Sequence, residues 1–257
     1  MVTGLEGAAV VEFAVILLAI AVGSFVKGVT GSGLPQIAIP VMAVFLGVER
    51  AVVIMAIPGV ITNGWMLWRF RDQMRLTRDL PVLLGCGIIG AVVGTFGLQR
   101  LDAAVLALAV AGMIGVYLAL HVSRFDVHLP PSRSRITAPP VGLVAGAMQG
   151  ATGMSGPLLT TYLHSYRLPK HVYVVSLVTL FQVYAVVQVG MLLHLGMYTT
   201  SRLVESLLAL VPMMAIMPLG ARYATRVSQQ VFDRWVVGLL TVTAATLVYD
   251  GVRGLLA

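Results

Sequence analysis

The stretches "KGVTGSGLPQ", Lys27 to Gln36, and "QGATGMSGPL", Gln149 to Leu158, break long apolar sequence in the same way. Aligned without gaps, Gly28, Thr30, Gly31 and Pro35 fall on Gly150, Thr152, Gly153 and Pro157, 122 residues later. A helix does not run through Thr-Gly-Ser-Gly-Leu-Pro. Glycine adds conformational freedom there, and proline lacks the N–H and collides with the preceding turn. Why such a break recurs depends on the solvent around it.

Composition names that solvent. Of 257 residues, 58% are hydrophobic and 11% charged, with a mean hydropathy of +0.94. A soluble domain carries about 25% charged residues, so this chain has too few to cover a water-facing surface. Its apolar stretches are helix-length and do not alternate, which excludes a transmembrane β-barrel. The chain reads as an all-α polytopic membrane protein. Cys86 is the single cysteine, so neither an intrachain disulfide nor a zinc cluster can form. The first basic residue is Lys27, and no charged n-region precedes the first apolar stretch, which is expected to belong to the mature protein. The net charge of +7 is assigned to loop arginines that set topology, not to nucleic acid.

Apolar segments are expected at 7–29, a short 35–47, 51–69, 79–98 and 102–122. After a polar stretch, "SRFDVHLPPSRSRITAPP", the series restarts at 141–152, a short 156–166, 171–195, 203–221 and 231–250. The organisation is therefore a first transmembrane repeat at 1–122, a cytoplasmic linker at 123–140 and a second repeat at 141–257. Toward the end of each half the spacing drifts to 126, where Gly94 and Arg100 fall on Gly220 and Arg226. The loop "RFRDQMRLTRD", 69–79, carries four arginines, and its counterpart "LGMYTTSR" carries one. The positive bias moves instead to "ARYATRVSQQVFDR", the counterpart of "LQRLD". A bias that swaps loops points to two inverted repeats of four to five segments each. The 69–79 loop and the linker are then cytoplasmic, and both termini and 196–202 lie outside. Segments 1 and 2, and their copies, must enter and return on one side.

Breaking a helix in hydrocarbon frees backbone groups, each costing on the order of several kcal/mol in lipid. Such a break is tolerated only when packed in protein or lining a wet cavity. Pro35 and Pro157 suit the first turn of a new helix, where a missing N–H is no loss. Each breaker should therefore set a helix N-terminus inside the membrane, with free N–H groups and the positive end of the helix dipole favouring an anion. Two breakers related by inversion are expected near the midplane, where carriers bind substrate. Candidate substrate-binding residues are Lys27, Thr30, Gly31, Ser32, Gly33 and Gln36 at the first breaker. At the second they are Gln149, Thr152, Gly153, Met154, Ser155 and Gly156. The competing account is that the glycines only let helices cross closely. Lys27, expensive at depth, either faces the substrate or snorkels to the surface. Asn63, Gln182 and Gln188 could line a pore, and more commonly such residues bond a neighbouring helix.

"GVTGSGLPQIAIPVMAVFLG", 28–47, and "GATGMSGPLLTTYLHSYRLP", 150–169, together with the basic central linker and the segment layout, resemble the TauE/SafE family of sulfite and organosulfonate exporters. The likeness spans nearly the whole chain. It implies a multi-pass transporter of the cell (inner) membrane, exporting small sulfur-containing anions such as sulfite, sulfoacetate or other sulfonates by alternating access. Family members often have a G-G-G-rich first breaker, which Thr30 and Ser32 interrupt here. A passive anion channel would use a glycine-lined path equally well. "GMSG", 153–156, also fits an intramembrane serine protease with Ser155 as nucleophile and His194 as base, but Ser155 falls on Gly33 in the repeat, and a protease has no use for a second breaker. No enzyme, cofactor or metal motif is found, and lipid and the anion are the expected partners.

Overall fold

The computed structural model describes residues 2–30, 33–71, 76–123, 130–223 and 229–256. Among these the chain forms eleven helices and no strand: α1 (Val2–Thr30), α2 (Leu34–Leu46), α3 (Val48–Arg69), α4 (Leu80–Arg100), α5 (Ala103–Ser123), α6 (Pro131–Thr152), α7 (Gly156–His164), α8 (Lys170–His194), α9 (Thr200–Leu208), α10 (Leu210–Tyr223) and α11 (Gln229–Leu256). Seven of the described stretches are long and apolar enough to cross a membrane: 11–29, 48–69, 80–100, 103–120, 170–194, 200–223 and 234–256. The chain is a multi-pass helical membrane protein. The second helix, α2, has 13 residues. At about 1.5 Å per residue it rises roughly 20 Å, short of the ~30 Å hydrocarbon core.

Two expected boundaries differ. Residues 131–140, read as linker, form the opening turns of α6, with Pro139 and Pro140 inside the helix. The 203–221 segment is two helices, α9 and α10, meeting at Ala209.

The helices gather into two compact units, and each draws on both halves of the sequence. Unit 1 is Met1–Pro58, Asp102–Ile114 and Tyr198–Ala257. In it α1 packs on α2 and α10, α2 on α11, and α9 on α10. Gly28 of α1 and Gly220 of α10 make the crossing. A Cβ at Gly28 would run into Met217 O and lie 2.9 Å from Gly220 Cα. At one end, the Arg50 guanidinium in the first turn of α3 donates to Glu12 of α1 at 2.6 Å and to Glu205 of α9 at 2.7 Å. Arg202 pairs with Glu49 beside it at 2.7 Å. Glu12 and the start of α3 therefore stand at the same end of the unit, so α2 carries the chain back toward the end that α1 came from.

Unit 2 is Gly59–Leu101 and Gly115–Met197. Its central pair is α4 and α6, with α7 and α8 packed against it. Gly90 and Gly94 of α4 line this contact with Gly142, Gly146 and Gly150 of α6, and at each of the five a Cβ would collide with the backbone of the opposite helix. Backbones approach this closely in membranes through small residues. Gly94 and Gly150 are the positions that the sequence repeat matches to Gly220 and Gly28, so the same glycine crossing is present in each unit. The core of unit 2 is built on Leu80, Leu83, Leu159, Leu163, Leu180 and Tyr184, whose hydroxyl donates to Leu83 O at 2.6 Å. At the start of α6, Ser134 donates to Asp79 at 2.6 Å and receives Arg78 at 2.9 Å. Tyr162, near the end of α7, donates to Ser134 O. Here too the short helix returns to the end from which its long partner began.

Candidate functional site

The first breaker lies in unit 1. α1 runs to Thr30; Gly31, Ser32 and the Thr30 side chain lie outside the described residues. Gly33 caps α2 with φ 102° and ψ −5°. This is the left-handed region, where only glycine is unstrained. The helix closes with Ile37 N–H on Gly33 O at 3.2 Å. Pro35 sits in its first turn, as its missing N–H predicts. Among the described residues no side chain caps this N-terminus. The half-buried Gln36 amide folds back over Gly33, its Oε1 3.7 Å from where a Cβ would stand. Lys27, one turn before the end of α1, is 6% exposed. A snorkelling lysine would hold its ammonium at the surface, and this one is enclosed.

The second breaker lies in unit 2 and is tied by hydrogen bonds. α6 ends at Thr152, and Gly153 turns the chain with φ 69° and ψ 8°, its N–H on Gln149 O at 2.8 Å. Thr152 donates to Met148 O at 2.7 Å. Ser155 is the N-cap residue of α7 but does not cap it. Its hydroxyl donates instead to Gln149 Oε1 at 2.9 Å. Gln149 Nε2 donates to Gln188 Oε1 at 3.1 Å, and Gln188 Nε2 bonds the Gln149 and Gly150 carbonyls at 2.8 and 3.2 Å. Pro157 opens α7, and Met154 and Gly156 are buried in the turn.

The two breakers thus share a backbone plan and differ in chemistry. Each starts a short helix after a left-handed glycine, with a proline in the first turn and no side-chain cap among the described residues. The first has a buried lysine; the second has, in its place, a neutral glutamine held on both sides. Gln188 bonds a neighbouring helix, as is usual for a glutamine in an apolar run, but the bonds it makes are to the second breaker itself. Its only signal in the sequence was its polarity. As for protease chemistry, the Ser155 proton is directed at an amide oxygen, which is no base, and His194 is exposed at the end of α8. No cluster of histidine, cysteine or acidic residues fit for a metal occurs among the described residues.

No curated protein and no solved structure matched the chain. Residues 15–247 match the family described as "Sulfite exporter TauE/SafE", a span that takes in both breakers, both glycine crossings and most of the helices. With nine-tenths of the chain accounted for by one family of membrane transporters, and with its duplicated broken helices in place, the protein belongs to the TauE/SafE sulfite exporter family.

Proposed function

We propose that the protein exports small sulfur-containing anions, sulfite, sulfoacetate or other sulfonates, across the cell (inner) membrane by alternating access. The breakers are its anion-binding positions. The observation that carries this reading is that α2 and α7 both begin in the middle of apolar sequence with no side chain among the described residues capping them. An uncapped helix N-terminus offers N–H groups and the positive end of the dipole to an anion. Lys27, buried beside the first, is a candidate counter-charge for the anion, and family membership favours a sulfur oxyanion. A sulfonate group presents three oxygens and one negative charge, which suits a few N–H donors and a single lysine.

The reading is tested with purified protein in liposomes, by measuring flux of sulfite, sulfoacetate, taurine, sulfate and acetate. Saturable flux of the sulfur oxyanions, accumulating against a gradient when a driving force is applied, is expected. Flux that never saturates and only runs down its gradient would make the protein a channel. Absence of flux for every anion would overturn the reading.

A further inference from the structure

Successive residues of α1 are turned by about 100°. Measured from Gly23, Lys27 lies roughly 40° round the helix, Ser24 roughly 100° and Gly28 roughly 140°. Gly23 faces α2, since a Cβ there would stand 2.9 Å from Leu34 O and 3.4 Å from Ala38 Cβ. Gly28 faces α10, where a Cβ would stand 2.9 Å from Ala221 N. Ser24 and Lys27 therefore share the arc of α1 between its contacts with α2 and α10. The opposite arc, Ala21, Val22, Phe25 and Val26, lines an apolar groove with Ile37 and Trp235. The polar groups of this part of α1 are thus sorted to one side.

Ser24 is fully buried, and its hydroxyl has no hydrogen-bond partner among the described residues. That is unusual within this protein. Thr95, Thr179 and Thr243, also in long apolar helices, all donate to the carbonyl four residues back, at 2.7–2.8 Å. That carbonyl is the ordinary acceptor for a helical hydroxyl. An unbonded hydroxyl in a buried position is costly and calls for a partner. Its nearest polar neighbour along the face is Lys27, three residues on, a spacing that makes side chains neighbours on a helix surface.

We propose that Ser24 is a substrate-binding residue, its hydroxyl donating to one oxygen of the oxyanion whose charge Lys27 holds. The inference rests on the anion-site reading of the first breaker. It also makes the two breakers unequal. The position matched to Ser24 is Gly146, pressed against the backbone of Gly87 with no donor to offer, and the glutamine matched to Lys27 is bound by Ser155 and Gln188. Recognition of charge and of oxygen then belongs to the first breaker.

The test uses the full-length protein in liposomes, with sulfoacetate and methanesulfonate as probes, comparing wild type with Ser24→Ala, Ser24→Thr and Lys27→Gln. Thermal midpoints verify that each variant is folded; alanine is a better helix former than serine, so Ser24→Ala is expected to fold. Ser24→Ala should raise the KM for both sulfonates roughly 10-fold, the loss of one hydrogen bond to a charged group, with little change in maximal flux. Ser24→Thr, which keeps the hydroxyl, should restore the KM. A folded Ser24→Ala with wild-type KM, alongside a weakened Lys27→Gln, overturns the role of Ser24 and leaves the anion site standing. Equal loss in Ser24→Ala and Ser24→Thr means that the site needs its packing and not its hydroxyl, and overturns the proposal as well. A wild type that moves neither sulfonate, nor sulfite, overturns both.

Discussion

Lys27 and Gln149 occupy matched positions, and a single charge separates them. Lys27 is enclosed, at 6% exposure. A lysine so placed is expensive unless something in its surroundings favours the charge. If that something is a substrate anion, Lys27→Gln should express and fold normally yet bind sulfonate more weakly. Losing a charge-assisted hydrogen bond costs roughly 1.5–3 kcal/mol, about 10- to 150-fold in affinity. Titration of the folded variant with sulfoacetate measures this, and unchanged affinity would reduce Lys27 to a packing residue. Gly33 and Gly153 hold φ of 102° and 69°. A β-branched side chain enters that region only under strain. Gly33→Val and Gly153→Val should each abolish flux. Gly115→Val should retain a substantial fraction, because a Cβ at Gly115 meets nothing within 4 Å. Flux per folded protein is the measurement. Normal flux in both breaker variants would move the site elsewhere, and absence of both from the membrane would leave the glycines a structural role only.

The α4 and α6 pair is where glycine serves packing with no other purpose in view. A Cβ on Gly146 would overlap Gly87 O, whereas on Gly85, also in this pair, it would meet nothing within 4 Å. Overpacking of a tight contact costs typically about 1–3 kcal/mol, and an open helical glycine changed to alanine gains about 1 kcal/mol. Gly146→Ala should therefore lower the thermal midpoint of the detergent-solubilised protein, and Gly85→Ala should hold or raise it. A Gly146→Ala variant as stable as wild type would mean that the helices can part at no cost. Local sequence makes much of this level legible. The breaks at Gly33 and Gly153 and the prolines opening α2 and α7 are set by backbone chemistry within a few residues, so they could be read directly. The start of α6 could not. "SRSRITAPP" is polar and carries two prolines, the composition of a linker, yet it is helical from Pro131. What holds it is distant in sequence: Asp79, Arg78 and Tyr162 all bond Ser134. The division of 203–221 at Ala209 was equally hidden, since α9 and α10 together are apolar enough to read as one span.

For the whole molecule the question is how the halves relate, and matched residues answer part of it. Gly28 meets Gly220 in unit 1, and Gly150, matched to Gly28, meets Gly94, matched to Gly220, in unit 2. The polar ends follow the same rule. Glu12 and Glu205 are joined through Arg50, and their matched residues, Ser134 and Asp79, bond each other directly. A helix from one half thus finds the same partner from the other half twice over, at the offsets of 122 and 126 that the sequence displays. Chance glycine matches would not reproduce two contacts in each unit. Contacts of this kind fix equivalence but not direction, and direction is the business of charge. Four arginines in 69–79 stand against one in 195–202. We propose from this bias that the first loop is cytoplasmic and the second outside, which requires inverted repeats. Single cysteines at Arg71, Ser132 and Thr200, in a Cys86→Ser background, test this with a membrane-impermeant thiol reagent applied to intact cells and to inverted vesicles. Thr200→Cys should label in intact cells, and Arg71→Cys and Ser132→Cys only in inverted vesicles. The Arg50 pairs lend the outer assignment a physical sense, since Glu12, Glu49, Arg50, Arg202 and Glu205 gather at one end of unit 1. There the charged ends of helices can reach water and lipid headgroups. If Arg71→Cys and Thr200→Cys label from the same side, the halves run parallel, and the equivalence of their contacts must come from a repeat about an axis along the membrane normal instead.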